Sequence, residues 1–251
     1  MNSLNTKQSS NASKDLAISG AGIEKSFRSG TTHLQVLRSI DLQVRRGECI
    51  FLAGPSGSGK STLLSILGCI LTPDAGSVRL LEQDLSTMTK TQRAQFRREQ
   101  IGFVFQRFHL FRGLNAWENV CVPFNLMGQT GRQAKRRACE LLEAVGLGDK
   151  LSSPIAHLSI GQRQRVALAR ALAGDPDLIL ADEPTASLDG QSGMVAMELL
   201  KRLAKEHGKT CVVVTHDSRI FPLADRILHL QDGRILREEQ PVEGAPPVAS
   251  A

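Results

Sequence analysis

The sequence contains no tyrosine, a single tryptophan and no long uninterrupted apolar run. Its most apolar stretch lies around Leu63 to Leu71 and is interrupted by Ser65 and Gly68. A helix needs about 20 predominantly apolar residues to cross a bilayer, so we expect no membrane-spanning helix. The first residues also lack the apolar centre of a secretory signal, which favours a protein that stays in the cytosol.

The cysteines are scattered, and no two lie close together in the sequence. They occur at positions Cys49, Cys69, Cys121, Cys139 and Cys211. This spacing fits neither a zinc site nor a disulfide framework. We therefore expect reduced thiols that are mostly buried.

The charge balance is basic, with a net charge of +6 and a pI near 9.3. It permits attraction to nucleic acid or to an anionic membrane surface and specifies neither. The basic runs at residues 97–98 and 132–137 are more typical of solvated helix faces. Hydrophobic residues make up 41% of the chain, enough for a sizeable core. The length suits one large domain or a core with an inserted lobe.

Short β-forming runs alternate with helix-like stretches along the chain. Strands are predicted at residues 34–44, 48–53, 101–105, 178–182, 210–215 and 226–230. Three of them contain the runs CIFLA, LILAD and CVVVT, which are almost wholly apolar, as buried parallel strands are. Helices are predicted at residues 60–69, 161–173 and 191–207. This alternation indicates an α/β fold with a mainly parallel sheet.

The two ends and the middle of the chain differ from this core. Residues 1–15 are rich in Ser and Asn, and residues 239–251 in Pro, Ala and Gly, so both are predicted to be disordered tails around a domain at 16–238. From about residue 115 to 146 the pattern is helical, with apolar positions three and four apart. We expect a helical lobe inserted at about residues 107–160.

A glycine-rich segment, GPSGSGKS at residues 54–61, matches the phosphate-loop pattern in full. An apolar strand precedes it and a helix follows, as the motif requires. Lys60 is expected to reach the β- and γ-phosphates of ATP, and Ser61 to ligate Mg²⁺. The ATP-binding residues predicted around this loop are Gly54, Pro55, Ser56, Gly57, Ser58, Gly59, Lys60, Ser61 and Thr62.

A second apolar strand ends in two acids, Asp182 and Glu183. Asp182 is placed to hold Mg²⁺ through water, and Glu183 to polarise an attacking water as general base. The alternative is that these acids cap a helix. A third strand ends at His216, which we expect near the γ-phosphate with Glu183. The remaining histidines are expected to be structural: His33, His109, His157, His207 and His229.

A further segment, LSIGQRQRVALARAL at residues 158–172, lies shortly before the acidic strand. It resembles the signature helix of ABC-type ATPases, and the other motifs follow in that family's order. Gln106 resembles the Q-loop glutamine, residues 187–189 (SLD) resemble the D-loop, and His216 resembles the switch histidine. Phe27 occupies the adenine-stacking position, where many relatives carry tyrosine. The resemblance covers nearly all of the predicted domain.

This resemblance implies a role for each matching residue. It implies a phosphate-loop NTPase core with an N-terminal antiparallel β subdomain and the inserted helical subdomain. Four residues are implied in catalysis: Glu183, His216, Gln106 and Lys60. The implied metal ligands are Ser61, Gln106 and Asp182, and Asp189 is the implied D-loop aspartate.

The resemblance also implies a partner copy, packed head to tail as a C2 dimer. Ser159 is a good helix N-cap, and the amides after it make an anion site. The residues implied to complete the partner's ATP site are Ser159, Ile160, Gly161 and Gln162. The family usually has Leu-Ser-Gly-Gly-Gln, so Ile160 is a departure. If the position needs a positive φ, the γ-phosphate contact weakens and hydrolysis slows, while binding is retained.

Within the family, the segments GFVFQRFHLF and WENVCVP resemble the lipoprotein-release and macrolide-export branch. The segment VTHDSRI resembles that branch and its glycolipid-export relatives. Burial of one strand face accounts for Phe103 or Phe105. Phe108 and Phe111 follow the strand, where ABC subunits receive a helix of their membrane partner, so permease docking is expected at residues 106–111.

The implied function is an ATP-hydrolysing subunit, with ATP and Mg²⁺, that drives export or extraction of a lipophilic substrate by permease subunits. Its expected location is the cytoplasmic face of the inner membrane, as a peripheral protein. One alternative is an ABC ATPase that powers a force-transmitting complex without transport. Another is a nucleic-acid-linked ABC ATPase, but such relatives generally carry tandem ATPase units or a long coiled coil. We expect no nucleic-acid partner.

Overall fold

The computed structural model of the chain describes residues 15–30 and 32–241. The predicted tails therefore lie almost wholly outside the described residues. The strands are β1 (Leu16–Ser29), β2 (Thr32–Arg45), β3 (Cys49–Ala53), β4 (Ala75–Leu80), β5 (Gln83–Asp84), β6 (Ile101–Val104), β7 (Leu178–Asp182), β8 (Thr210–Thr215), β9 (Arg226–Gln231) and β10 (Arg234–Glu239). The last strand thus reaches one residue into the predicted C-terminal tail.

The strands form two sheets of different character. A four-stranded sheet has the order β2-β1-β4-β5 and is antiparallel throughout. A six-stranded sheet has the order β10-β9-β3-β8-β7-β6 and is parallel except at β10. The predicted strands all lie within or closely match strands of these sheets, and the predicted α/β class with an N-terminal antiparallel subdomain is confirmed.

The helices are α1 (Lys60–Leu67), α2 (Lys90–Gln100), α3 (Ala116–Leu126), α4 (Gly131–Ala144), α5 (Ile160–Leu172) and α6 (Gly190–Glu206). Short 3₁₀ turns occur at Gly148–Lys150, Ile155–His157 and Ser218–Leu223. Helices α1, α5 and α6 match the predictions to within two residues at each end. Helices α3 and α4 occupy the stretch in which the helical lobe was predicted.

The central strand β3 separates two apolar cores. Its alternate residues Cys49, Phe51 and Ala53 join a core shared with α3, α4, α5 and α6. Ile50 and Leu52 point the other way, into a core with α1 and the antiparallel sheet. The end of β3 therefore lies where both layers meet, and residue 54 follows directly.

Two features of the fold were missed. Helix α2 was not predicted because Phe96 is its single buried residue, although Thr89 and Gln92 form a capping box at its start. The sequence separation of Cys49 and Cys211 hid their proximity, since they are register partners in the parallel strands β3 and β8. Four of the cysteines are buried and Cys139 is partly buried, as expected.

The helical lobe carries the single tryptophan. The backbone N–H of Trp117 in α3 donates to the carbonyl oxygen of Leu151 over 3.0 Å. Lys135 of α4 places its Nζ 4.6 Å from the centre of the indole ring, a cation–π contact.

Among the residues that the structure describes, no helix is long and apolar enough to span a bilayer.

Candidate nucleotide site

The phosphate loop begins at Gly54, immediately after β3, and leads into α1. A β-carbon at Gly54 would overlap the carbonyl oxygen of Leu230 in β9, so the sheet itself requires glycine here. Gly59 is the N-cap of α1, with φ 104°, and no side chain caps the helix. The first backbone N–H groups of α1 thus remain open toward the loop, which makes them an anion site.

Lys60, the first residue of α1, is a buried cation inside this loop. Its Nζ donates to the carbonyl oxygens of Gly54 and Pro55 over 2.7 and 2.9 Å. Burial lowers the pKa of Lys60, and the nearby charges of Glu183 and Asp182 oppose that shift. The loop therefore holds a positive charge at its centre that a phosphate can pair with directly.

Ser61 and Asp182 bring two oxygen ligands together from different elements. The hydroxyl of Ser61 donates to Oδ1 of Asp182 over 3.1 Å. Burial is the main cause that raises the pKa of Asp182. The ionised carboxylate is therefore unfavourable here unless a cation binds next to it. Mg²⁺ prefers such hard oxygen donors, so these two residues fit a magnesium site. None of the helices that the structure describes begins at Asp182.

Glu183 and His216 meet at the same edge of the sheet. The Nδ1 atom of His216 lies 2.9 Å from Oε1 of Glu183. The second carboxylate oxygen of Glu183 is buried and has no hydrogen-bond partner in the described part of the chain. Glu183 also has a left-handed backbone, φ 47°, a strained conformation of the kind found at functional sites. The structure thus places both predicted residues together, with one oxygen free for a water molecule.

Gln106 follows β6 and is exposed. Its carbonyl oxygen accepts a hydrogen bond of 3.2 Å from the hydroxyl of Ser187, in the loop after β7. The loops after neighbouring parallel strands β6 and β7 are therefore tied together. Asp189, further along the second loop, caps α6 by accepting from the N–H and hydroxyl of Ser192. These bonds lower the pKa of Asp189.

Phe27 lies on β1 with 40% of its surface exposed. It pairs with Leu34 in β2, and the same strand β2 reaches the phosphate loop, because a β-carbon at Gly59 would touch Leu37 and Val36. Phe27 therefore exposes its ring on β1, and the neighbouring strand β2 contacts the phosphate loop. This arrangement is compatible with stacking on a nucleotide base.

The signature helix α5 begins with a complete capping box. The amide of Gln162 donates to Oγ of Ser159 over 3.2 Å, and the amide of Ser159 donates to Oε1 of Gln162 over 2.9 Å. The amides of Ile160 and Gly161 remain as the open donors of the first turn. Ile160 has no positive φ, so the predicted backbone weakening does not arise, but its side chain is 50% exposed.

The segment between β6 and α3, residues 105–115, contains Gln106 and is called the Gln106 loop below. A cavity of about 300 Å³ lies beside it. Helices α2 and α3, strand β6 and the end of α5 contribute to its walls. Its lining includes aromatic and apolar side chains with two arginines and no carboxylate: Arg98, Ile101, Gly102, Phe103, Phe105, His109, Phe111, Val122, Pro123, Arg170, Ala171 and Ala173. Of the predicted docking residues, Phe111 is 51% exposed and lines this cavity.

Three polar residues near the site make contacts that were not predicted from the sequence. Ser187, Asn119 and Arg170 each bind backbone carbonyl oxygens of the segment after β6. A sequence pattern identifies side chains, not the carbonyl oxygens that they reach across the fold. Ser187 and Arg170 stand in segments that were singled out as motifs, but their bonds to these carbonyl oxygens were not predicted, and no signal in the sequence marks Asn119.

Comparison with known proteins gives relatives over most of the chain. The family model for "ABC transporter" matches residues 37–186. The chain is 46% identical over 220 residues to a macrolide export ATP-binding/permease protein, MacB, of Shewanella sp. (strain W3-18-1), covering 88% of this chain and 34% of that protein. It is 44% identical over 235 residues to MacB 1 of Aeromonas hydrophila, covering 92% and 36%. The chain thus spans about a third of the length of these curated relatives.

A solved structure agrees with these relatives. The dimeric ATP-binding cassette MJ0796, in a post-hydrolysis state bound to ADP and Pi, superposes with a TM-score of 0.81 at 40% identity. The match covers 89% of this chain and 98% of that one. The predicted ABC-type ATPase is confirmed: the chain is an ATP-binding cassette and belongs to the ABC transporter family.

Proposed function

We propose that the chain binds ATP with Mg²⁺, dimerises head to tail around two nucleotides and hydrolyses them to drive a membrane permease. The observation that carries this proposal is the convergence at one sheet edge of the Lys60 cation, the Ser61–Asp182 pair and the Glu183–His216 pair. These are a phosphate receptor, a metal site and a general base within one constellation.

The phosphate loop binds the triphosphate through backbone amides and Lys60. On binding, the Lys60 ammonium exchanges the carbonyl oxygens of Gly54 and Pro55 for phosphate oxygens. Ser61, Asp182 and Gln106 would hold Mg²⁺, which supplies charge neutralisation to the phosphates. Phe27 stacks on the base.

Glu183 and His216 act on the attacking water. The free Oε2 atom of Glu183 accepts a hydrogen bond from that water and takes its proton as the γ-phosphate is attacked. His216 holds the other oxygen of the carboxylate at 2.9 Å and so fixes its orientation. Because His216 is largely exposed, a partner molecule or the γ-phosphate can reach its ring directly.

The signature helix completes the site of the partner copy. A β-carbon at Gly161 would meet no atom within 4 Å among the residues that the structure describes, so none of these neighbours requires glycine there. Glycine is a poorer helix former than alanine, by about 0.5–1 kcal/mol in a helix interior. Close approach of the partner's nucleotide to the amides of Ile160 and Gly161 explains this choice.

The dimer is tested with Glu183→Gln, which keeps the size of the side chain and removes the base. We expect turnover to fall by about 10²–10⁴-fold and an ATP-dependent dimer to accumulate in size-exclusion chromatography. The matched control is Glu198→Gln, an exposed glutamate of α6, which should hydrolyse ATP normally. A Glu183→Gln protein that stays monomeric with ATP and turns over normally removes Glu183 from the proposed role.

The cavity beside Gln106 is proposed to receive the permease at the cytoplasmic face of the membrane. Its aromatic floor suits an apolar helix face, and its arginines suit acidic side chains on that helix. The names of the MacB relatives support export of a lipophilic, macrolide-like substrate.

Docking is tested with Phe111→Asp, which should move the chain from sedimented native membranes into the supernatant. Leu126→Asp is the control, because Leu126 is 61% exposed on α3 but does not line the cavity. Equal membrane retention of both variants would remove the cavity from docking.

A further inference from the structure

The loop after Gln106 has an unusual backbone. Phe108 and His109 are consecutive residues with positive φ, at 60° and 44°. Bulky residues avoid this left-handed conformation, so a pair of them must be held in place by other groups. The aromatic rings of Phe105 and His109 stack with 4.8 Å between their centres, but that contact leaves the loop carbonyls to be satisfied elsewhere.

Arg170 holds these two residues from the last turn of the signature helix. Its Nη2 atom donates to the carbonyl oxygen of Phe108 and its Nη1 atom to that of His109, both over 2.6 Å. One planar guanidinium therefore fixes two successive peptide units. A lysine would offer a point charge instead of this two-pronged donor.

The charge of Arg170 is otherwise uncompensated. The side chain is half-buried, and burial lowers its pKa. Within residues 15–30 and 32–241 it forms no ion pair with a carboxylate, and its described partners are neutral carbonyl oxygens. Burying a cation without a paired carboxylate costs free energy, which its hydrogen bonds to the two carbonyl oxygens must offset.

Two other side chains fix the same loop from different elements. The hydroxyl of Ser187 holds the carbonyl oxygen of Gln106, and the buried amide of Asn119 binds both the N–H and the carbonyl oxygen of Phe111. Arg170 alone among these three anchors belongs to the signature helix. That helix has Ser159 as the N-cap of its opposite end, about 16 Å away by the rise of 11 residues.

We propose that Arg170 is a positioning residue that sets the Gln106 loop and ties it to the signature helix. This inference rests on the proposed role of Gln106 in hydrolysis. A segment docked in the cavity that Arg170 lines displaces the loop, and the two guanidinium bonds carry the displacement into the helix that faces the partner's nucleotide. Arg170 thus acts on hydrolysis through Gln106, without touching the nucleotide.

The kinetic test compares Arg170→Met with Arg165→Met, which removes a half-buried arginine of the same helix that does not contact the loop. We expect Arg170→Met to lower kcat by about ten- to a hundredfold with the KM for ATP unchanged, and Arg165→Met to leave both unchanged. Arg170→Lys should recover part of kcat. In a Gln106→Ala background, Arg170→Met should have no further effect on kcat, because it acts through Gln106.

Hydrogen exchange decides the structural part independently. Arg170→Met should speed exchange of the amides at residues 108–112 by tenfold or more while the strands β3, β7 and β8 keep their protection. Unchanged exchange there overturns the proposal, as does an equal fall of kcat in the presence and absence of Gln106. If Gln106→Ala itself leaves kcat unchanged, the role of Gln106 in the proposed function fails, and the exchange result still decides whether Arg170 positions the loop.

Discussion

Two helix N-termini in this chain are suited to phosphate, and they differ in how complete they are. Helix α1 begins at a left-handed Gly59 with no side-chain cap, and its first residue, Lys60, adds a buried positive charge. Helix α5 begins with the Ser159–Gln162 capping box, and next to it lies the exposed side chain of Ile160. The first is a complete phosphate receptor within one chain. The second is capped and exposed, and it has no buried lysine like Lys60 to pair with a phosphate.

This difference indicates which contacts supply the free energy of phosphate binding at each site. A loop that already encloses a cation binds an anion in the monomer, because burial strengthens the charge pairing. An exposed helix start offers two amides and about half a unit of charge, which is too little to bind phosphate from solution alone. It contributes once a second surface has presented the phosphate. Nucleotide binding should therefore belong to the monomer and closure to the dimer.

Lys60→Ala breaks the complete site and should have the largest effect. Loss of the central cation should lower nucleotide affinity and reduce turnover by about 10²–10³-fold, since no other group in the loop replaces its charge. Isothermal titration with ATP and a steady-state hydrolysis assay measure both quantities. Lys90→Ala, at an exposed lysine of α2, serves as control. Unaltered affinity and turnover would refute the phosphate-loop site.

Gly161→Ala breaks the half-site and leaves the complete site intact. The added methyl group meets nothing within 4 Å in the described part of the chain, so the melting temperature should stay the same or rise slightly. ATP affinity of the monomer should not change, but the ATP-dependent dimer of the Glu183→Gln protein should weaken by tenfold or more, about 1.4 kcal/mol. Sedimentation velocity across ATP concentrations measures this. A dimer of normal strength would mean that α5 does not face the partner's nucleotide.

Ile160→Gly sharpens the comparison by removing the exposed side chain from the half-site. We expect turnover to rise by about two- to fivefold, because close approach to the amides is no longer crowded. The stability of the monomer should fall slightly, as glycine costs backbone entropy in a helix. A hydrolysis assay with thermal denaturation separates the two effects. Slower turnover would assign Ile160 a favourable contact across the dimer.

Asp182→Asn tests the charge on the complete site through its pH dependence. The raised pKa means that the folded chain binds this proton more tightly than the unfolded chain does. The ionised form of Asp182 is therefore destabilising, and its penalty develops as pH rises from the unfolded pKa through the folded one. Without nucleotide or metal, the Asn variant should melt higher at neutral pH and lose this advantage in acid. An equal melting temperature at all pH values would contradict the raised pKa.

The predictable parts of the molecule are those written in consecutive residues. Strands β3, β7 and β8 were predicted because strands buried on both faces leave continuous apolar runs. The phosphate loop, the acids at 182 and 183 and the helix N-cap at Ser159 are likewise local patterns. Helix α2 was missed because its exposed surface shows no apolar periodicity. The anchoring by Arg170, Ser187 and Asn119 was missed because its partners are backbone atoms distant in sequence.

The contact between Lys135 and Trp117 has a spectroscopic consequence. With no tyrosine in the chain, the indole emission originates from this one residue, and the ammonium group of Lys135 lies directly over its ring. The indole lies in the helical lobe, whereas the nucleotide is expected to stack on phenylalanine. An unlabelled sample therefore carries an optical reporter for movement of α3 against α4, with little background from the site where ATP binds.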